Sequence, residues 1–287
     1  MKLKRHKFKM TETLAAILFL LPSLAGLSLF FLFPFIDTIK RSFYNAMGNS
    51  FMGLQNYISV LKNQSFQLAS ENTGKFLIIS IPLLLVISLI LALLMREIQP
   101  GGRRLKTLFL LPMAIPVASI VLIWQMLFHE NGLVNAVLCM WKSEPINFMG
   151  SDAAFWVLVG TYIWKNTGYT MILWLAGLDG ISESMYEAAH VDGAGALKCF
   201  IHITLPSLVP TSAMVLVISM LNGFKVFREA FLVAGAYPHD SIYMLQHLFN
   251  NWFTNMDISR LCSAAVLLCG VLLAIILFIQ RWFLAEE

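Results

Sequence analysis

Six long apolar runs, separated by polar segments, organise this chain. An α-helix needs about 20 apolar residues to cross the ~30 Å hydrocarbon layer of a bilayer, and each run has that length or approaches it. The runs are continuous rather than alternating, and lipid offers no hydrogen-bond partner to an unpaired backbone. The pattern therefore predicts an all-α membrane protein with about six transmembrane helices. The predicted spans are Leu14–Phe35, Phe76–Met95, Leu108–Phe128, Phe155–Leu178, Leu205–Leu221 and Leu261–Phe283.

The composition agrees with a membrane domain and leaves little room for a catalytic one. Charged residues make up 13% of the 287-residue chain, whereas soluble domains carry roughly 25%. The sequence contains no GxxxxGK[ST], GxSxG or HExxH motif, so neither ATP binding nor hydrolase chemistry is expected on this chain. His239 and His247 lack the ligand spacing of a metal site, and we expect them to be solvated or capping residues. The prediction is a non-enzyme without cofactor or metal.

The distribution of basic residues predicts the orientation. Residues 1–13 form a basic N-terminal segment, and the apolar run that follows is longer than the ~7–15 residues of a signal peptide core. We therefore interpret this run as a retained first span. Eleven Lys and Arg residues fall on the N-terminal side of the predicted membrane and six on the other, which places both termini in the cytoplasm. The net charge of +4 is explained by this topology, so no nucleic-acid partner is expected.

One predicted cytoplasmic loop, residues 179–204, is acidic where topology alone would favour basic residues. Ser184 and Glu187 have the spacing of a capping box, which predicts a helix start. Gly193 follows an aspartate in a turn signal, and a second short helix is predicted at 194–201. The loop is therefore expected to form a helix–turn–helix on the cytoplasmic face of a membrane domain that spans residues 14–287. From these physical features alone, an ordinary amphipathic connection is the preferred explanation of the loop.

The residue string of this loop resembles the EAA loop of ABC importer permeases. In that family the loop docks into a groove of the ATPase subunit and couples ATP hydrolysis to movement of the membrane helices. The resemblance implies a coupling role for nine residues here. They are Glu187, Ala188, Ala189, Asp192, Gly193, Ala194, Phe200, Leu205 and Pro206.

The resemblance extends over nearly the whole chain. Within the family, the chain resembles the sugar-importer branch, in particular the first membrane subunit of maltose-type transporters. Gly53–Tyr57 resembles the GLxNY segment of that branch, and Ile115-Pro116 resembles part of its third helix. The resemblance implies the type I ABC importer permease fold in a prokaryotic cell membrane. It also implies a second homologous permease, two ATPase subunits that hold ATP and Mg, an extracytoplasmic sugar-binding protein and a carbohydrate substrate.

Two polar clusters are candidates for the substrate path, because polar groups at membrane depth are costly and often functional. The first lies in the fourth predicted span, and the second follows the fifth, where Asn222-Gly223 predicts a helix break. The alternative for both clusters is structural, with Lys165 snorkelling or paired and Arg228 paired with Glu229. The candidate residues are Trp164, Lys165, Asn166, Tyr169, Asn222, Phe224 and Lys225.

Other function classes stay open at this point. An ABC permease for a non-sugar solute fits the same loop. A secondary carrier would need ion-coupling acids in its spans, and none of the six predicted spans contains a deep Asp or Glu. A membrane-anchored enzyme or assembly factor would need a catalytic cluster on one face.

Overall fold

The computed structural model describes residues 3–98, 102–141 and 144–284, and these form helices joined by short connections. They divide into two compact units, one of Met1–Lys62 with Trp252–Val271 and one of Asn63–Asn251 with Leu272–Glu287. The predicted division at residue 13 stays a prediction. Within the described residues the helices are α1 (Leu3–Leu27), α2 (Phe33–Ser42), α3 (Gln55–Lys62), α4 (Gln64–Glu97), α5 (Gly102–Ala114), α6 (Val117–Phe128), α7 (Leu133–Met140), α8 (Ala153–Asp179), α9 (Glu183–Val191), α10 (Ala196–Cys199), α11 (Leu205–Ser207), α12 (Val209–Lys225), α13 (Phe227–Ala234), α14 (Leu245–Thr254) and α15 (Ile258–Leu284).

The described helices account for the predicted membrane spans. Five segments are long and apolar enough to cross a bilayer, and the fourth predicted span forms α8, whose 27 residues also have sufficient length. The polar residues in the middle of α8 lower its hydropathy below that of the others. The all-α prediction is thus confirmed. The five segments are Leu14–Ser42, Gln64–Glu97, Val117–Met140, Val209–Ala234 and Ile258–Trp282.

The predicted third span is wrong as a single helix. The chain leaves helical geometry at Ile115-Pro116, so α5 ends at Ala114 and α6 begins at Val117. Pro116 has φ −57° and ψ 141°. A proline disfavours α geometry in the residue before it and cannot donate to the preceding turn, which explains the break. The break opens a gap in the wall of the second unit.

The first unit is organised around a buried serine at the end of α2. The Ser42 carbonyl accepts hydrogen bonds from Asn56 Nδ2 at 2.9 Å and from Ser263 Oγ at 3.1 Å. The Ser42 hydroxyl lies 2.6 Å from Tyr57 Oη. Asn56 and Tyr57 belong to the GLxNY segment, so this segment folds the chain back onto the end of α2 and satisfies its last carbonyl groups.

The second unit is built around α8, against which α4, α5 and α12 pack. Hydrogen bonds cross two of these helix pairs within the apolar core: Trp174 Nε1 donates to Ser88 Oγ at 3.1 Å, and Tyr162 Oη donates to the Ser219 carbonyl at 2.7 Å. Gly168 lies directly against the Phe109 carbonyl of α5. Such small residues allow helix backbones to approach closely where no water is available to drive burial.

His239 and His247 differ from one another. His239 caps a helical turn by accepting the Ser241 amide, as predicted. His247 is fully buried rather than solvated, and it caps the start of α14. Its Nδ1 accepts the Met244 amide at 3.2 Å, and the Phe227 ring packs edge-on at 4.7 Å. Burial lowers the pKa of His247 to about 4, because the charged imidazolium loses hydration.

Replacing Gly168 by alanine is expected to destabilise the second unit. The added methyl group would overlap the Phe109 carbonyl and force α5 away from α8. Overpacking of this kind costs about 1–3 kcal/mol. The matched control is Gly160→Ala on the same helix, where nothing lies within 4 Å of the added carbon. Thermal unfolding in detergent should show a lower Tm for Gly168→Ala alone, and equal Tm values would contradict the close approach.

Acidification is expected to destabilise the fold through His247. Between pH 6.5, the ordinary histidine pKa, and about 4, the unfolded chain binds a proton that the folded chain does not. The free energy of unfolding therefore keeps its full value at pH 7. It decreases as the pH is lowered through this window, by roughly 3 kcal/mol at most. His247→Gln keeps an acceptor but does not titrate. The drop in Tm between pH 7 and 5 should shrink in this variant; an unchanged drop would exclude His247 as its source.

Candidate functional site

The helix α9, in the loop of residues 179–204, ends in a well-formed glycine cap. Gly193 has φ +75° and donates its amide to the His190 carbonyl at 3.0 Å. The Ala194 amide reaches back to the Ala189 carbonyl at 2.8 Å. These two bonds are the Schellman pair, which reverses the chain and satisfies the last carbonyl groups of a helix. The predicted turn at Asp192-Gly193 is therefore confirmed.

Two local predictions in this loop are wrong. The helix begins at Glu183, one residue before the predicted capping serine, and Ser184 pairs its hydroxyl with Ser182 rather than capping the helix. The second helix is shorter than predicted, because regular α geometry covers only Ala196–Cys199. A wider π-helical turn, Phe200–Thr204, then leads into the proline-containing start of α11.

The predicted coupling residues cover the outer surface of this loop. α9 has no buried residue. Val191 and Leu197 are 88% and 71% exposed, so apolar side chains stand free on either side of the turn. Of the nine residues, Ala189, Ala194 and Phe200 are half-buried. The exposed ones are Glu187, Ala188, Asp192, Gly193, Leu205 and Pro206.

Tyr186 ties the exposed helix to the rest of the unit. Its hydroxyl lies 2.8 Å from the hydroxyl of the buried Thr204. The Arg96 guanidinium at the end of α4 stands over its ring, 5.3 Å from the centroid, in cation–π geometry. Sequence reasoning missed Tyr186, although an aromatic residue inside an otherwise polar helix was a signal for it. These contacts hold α9 against the ends of α4, α8 and the segment that leads into α12.

A cavity of about 380 Å³ lies in the second unit, between the α5–α6 break, α8 and the end of α12. Four of the seven predicted substrate-path residues line it: Lys165, Asn166, Asn222 and Lys225. The structure brings these residues together from two clusters separated by more than 50 positions. The cavity thus presents two amide side chains and several charged groups within an apolar helical unit.

An ion pair crosses this cavity between α8 and α13. Lys165 Nζ lies 2.5 Å from Glu229 Oε1. Glu229 is only 4% exposed, and its other oxygen, Oε2, is buried without a partner among the described residues. The expectation of no acid inside a span is therefore wrong, because the fifth predicted span continues beyond Leu221 to Ala234. The alternative of a paired Lys165 is the arrangement found, with Glu229 as its partner, whereas Arg228 was expected to pair with that carboxylate.

The other three candidates lie elsewhere. Trp164 points toward α6, where its ring meets Trp124 at a centroid distance of 5.8 Å. Tyr169 and Phe224 are half-buried and are not among the residues that line the cavity. A helix turns its side chains by 100° per residue, so neighbours in sequence cannot all face one cavity. Their predicted role in the path stays a prediction.

Sequence reasoning missed part of the wall. Thr161, Tyr162, Arg228 and Glu229 also line the cavity, as does the segment Met113–Val117 around the helix break. The predicted break at Asn222-Gly223 is wrong by three residues, since α12 continues to Lys225 and α13 begins at Phe227, after the single residue Val226. Gly223 instead faces Leu77 at close range. Arg228 and Glu229, in the first turn of α13, line the same cavity.

Two relatives of known name are permeases of sugar transport systems. The trehalose/maltose transport system permease MalF of Thermococcus litoralis is 29% identical over 88% of this chain and 87% of its own length. The arabinooligosaccharide permease AraP of Bacillus subtilis is 31% identical over 76% of this chain and 72% of its own.

A solved bacterial ABC transporter, involved in the import of the acidic polysaccharide alginate, contains a chain with the same fold. The TM-score is 0.82 at 22% identity, and the match covers 97% of this chain and 98% of the other. This likeness confirms the predicted type I permease fold.

The family comparison covers most of the chain. Residues 84–285 match the family described as binding-protein-dependent transport system inner membrane component. The matched range includes the cavity and the cytoplasmic loop. The chain therefore belongs to this family, and it is a membrane transport subunit rather than an enzyme.

Proposed function

We propose that this chain is the permease subunit of an ATP-driven sugar importer and that it moves its substrate by alternating access. The observation that carries the proposal is the connection between loop and cavity. α8 supplies Lys165 and Asn166 to the cavity wall and runs directly toward α9, while the other end of the loop leads into α12, which supplies Asn222 and Lys225. A force on the loop would therefore reach two walls of the cavity at once.

The surface of the loop suits a docking partner. α9 leaves its polar and apolar side chains free, and the apolar Val191 stands 88% exposed next to the glycine turn. Burying such apolar side chains in a partner's groove favours association through the hydrophobic effect. We infer that an ATPase subunit covers this surface, holds the Mg-ATP and transmits its closure through Glu187–Gly193. A second permease and a second ATPase complete the unit, and both termini of this chain face the cytoplasm.

The cavity supports a carbohydrate substrate. The amide and hydroxyl groups of Asn166, Asn222 and Thr161 offer hydrogen bonds that suit sugar hydroxyl groups. The proteins named above transport trehalose or maltose and arabinooligosaccharides, and the structural neighbour takes part in alginate import. We infer that an extracytoplasmic binding protein delivers a sugar to this site. The names alone do not decide between a neutral and an acidic sugar.

A secondary carrier is the competing class, because Glu229 is an acid within a span. Glu229 is already paired with Lys165, however, so one oxygen of the carboxylate is occupied by a cation of the same chain. A coupling ion would have to displace Lys165 first. The family membership also favours transport that depends on a binding protein. We therefore retain the ATP-driven importer.

The partners are tested by co-purification. A tagged chain extracted gently from its native membrane is expected to bring down an ATPase and a second permease of the same family, identified by mass spectrometry. Both the ATPase yield and ATP-driven sugar uptake should fall in a Glu187→Ala/Gly193→Val double variant. A chain that purifies alone and moves solute into liposomes without ATP would exclude the importer and favour a carrier.

The coupling role of the glycine turn is tested with a matched pair of variants. Gly193→Val places a branched residue at φ +75°, a strain of about 1–3 kcal/mol. Gly195→Val makes the same change at φ −78°, and neither site has an atom within 4 Å of the added carbon. We expect about tenfold slower uptake for Gly193→Val alone, with normal amounts of both variants in the membrane. Equal uptake rates would show that the turn plays no part in coupling.

A further inference from the structure

We propose that this cavity selects a carbohydrate that carries an anionic group, either a carboxylate or a phosphate. The inference rests on the proposed importer function and narrows its substrate class. Three basic side chains, Lys165, Lys225 and Arg228, line the cavity together with a single acidic one, Glu229. The charge of the wall is therefore positive, and this excess arises from residues of one chain.

The ion pair removes one positive and one negative charge from this balance. Lys165 and Glu229 are 2.5 Å apart and neutralise one another. Lys225 is held by the Asn222 side-chain oxygen at 3.1 Å, which is a neutral acceptor. Within the described parts of the chain, neither Lys225 nor Arg228 has a carboxylate within 4 Å. Two cations thus face the cavity without a counter-charge.

A helix end adds to the positive potential. Pro116 and Val117 form the start of α6 and belong to the cavity wall. The first amides of a helix, here those of Val117 and Ala118, have no acceptor within the helix, and they carry the positive end of its dipole. Side-chain cations and backbone N–H donors therefore line the same cavity. This arrangement suits the oxygen atoms of an anion.

The surroundings of these cations favour an anionic sugar over a neutral one. Coulomb interactions strengthen as the local dielectric constant falls, and part of the wall beside the exposed Lys225 and Arg228 consists of apolar residues such as Met113, Ile115 and Val226. A neutral sugar would leave two cations uncompensated in this space. An acidic sugar would supply the missing charge and still use Asn166 and Asn222 for its hydroxyl groups. The selectivity we infer is therefore electrostatic in origin.

The test uses the assembled importer, purified with its partner subunits and reconstituted in lipid nanodiscs. Saturation-transfer difference NMR compares digalacturonate with galactobiose and glucose 6-phosphate with glucose, two pairs matched in their sugar but not in charge. We expect about tenfold or tighter binding of the acidic member of at least one pair. The pair that shows this preference distinguishes a carboxylate ligand from a phosphate ligand.

Charge variants assign the preference to these residues. Lys225→Gln and Arg228→Gln should each reduce the preference for the acidic sugar by several-fold, and the double variant should abolish it. The matched control is Lys62→Gln, another exposed lysine in the last turn of a helix, outside the cavity. The control should leave the preference unchanged.

Three outcomes would overturn the inference while leaving the importer intact. They are equal binding of the neutral and acidic sugars, binding of neither, and an acidic preference that survives the double variant, which would place the counter-charge on the partner permease. The proposed function fails separately, in a different assay. That failure would be the absence of ATP-driven uptake of any carbohydrate by proteoliposomes that contain the complete importer and its binding protein.

Discussion

The ion pair between Lys165 and Glu229 is the interaction on which the second unit depends. It joins the middle of α8 to the first turn of α13, just after the interruption at Val226. Each charge is costly inside an apolar helical unit unless it is paired. The pair therefore fixes how α13 meets α8, and with it the position of the cavity wall. Glu229 Oε2 remains buried without a described partner, so the pair leaves one hydrogen-bond acceptor of this carboxylate unsatisfied.

Two helix breaks face the cavity and explain why an apolar unit contains it. Pro116 ends regular geometry between α5 and α6, and Val226 separates α12 from α13. Continuous helices would pack their side chains into this space. The breaks instead expose backbone donors and bring polar side chains from distant positions together, which helical transport proteins tolerate where the backbone lines a cavity. Substrate contacts and mobility can then arise from the same irregular segments.

The loop of residues 179–204 is hydrogen-bonded where it turns and exposed where a partner would dock. Gly193 satisfies the carbonyl groups at the end of α9, and Tyr186 anchors the helix through Thr204 and Arg96. A loosely attached helix could shift without moving its neighbours, whereas an anchored helix transmits its displacement to the helices it contacts. The shape of the loop therefore complements the proposed ATP-driven mechanism. The anchor and the exposed surface belong to different faces of α9, so a partner need not disturb the anchor.

The sequence by itself determined the elements, because helix formation in lipid depends on local apolar length and on glycine at positive φ. It located the helical regions of the spans, the turn at Gly193 and the coupling-loop resemblance, but not the break at Ile115-Pro116 or the continuation of the fifth span to Ala234. Only the tertiary structure decided which polar residues meet. Asn166 and Asn222 line one cavity, whereas Trp164 and Tyr169 do not. The direction in which each side chain of α8 points depends on how α8 is rotated against its neighbours. The partner of Lys165 was likewise undetermined, since Glu229 lies 64 residues away and reaches it only through the break at Val226.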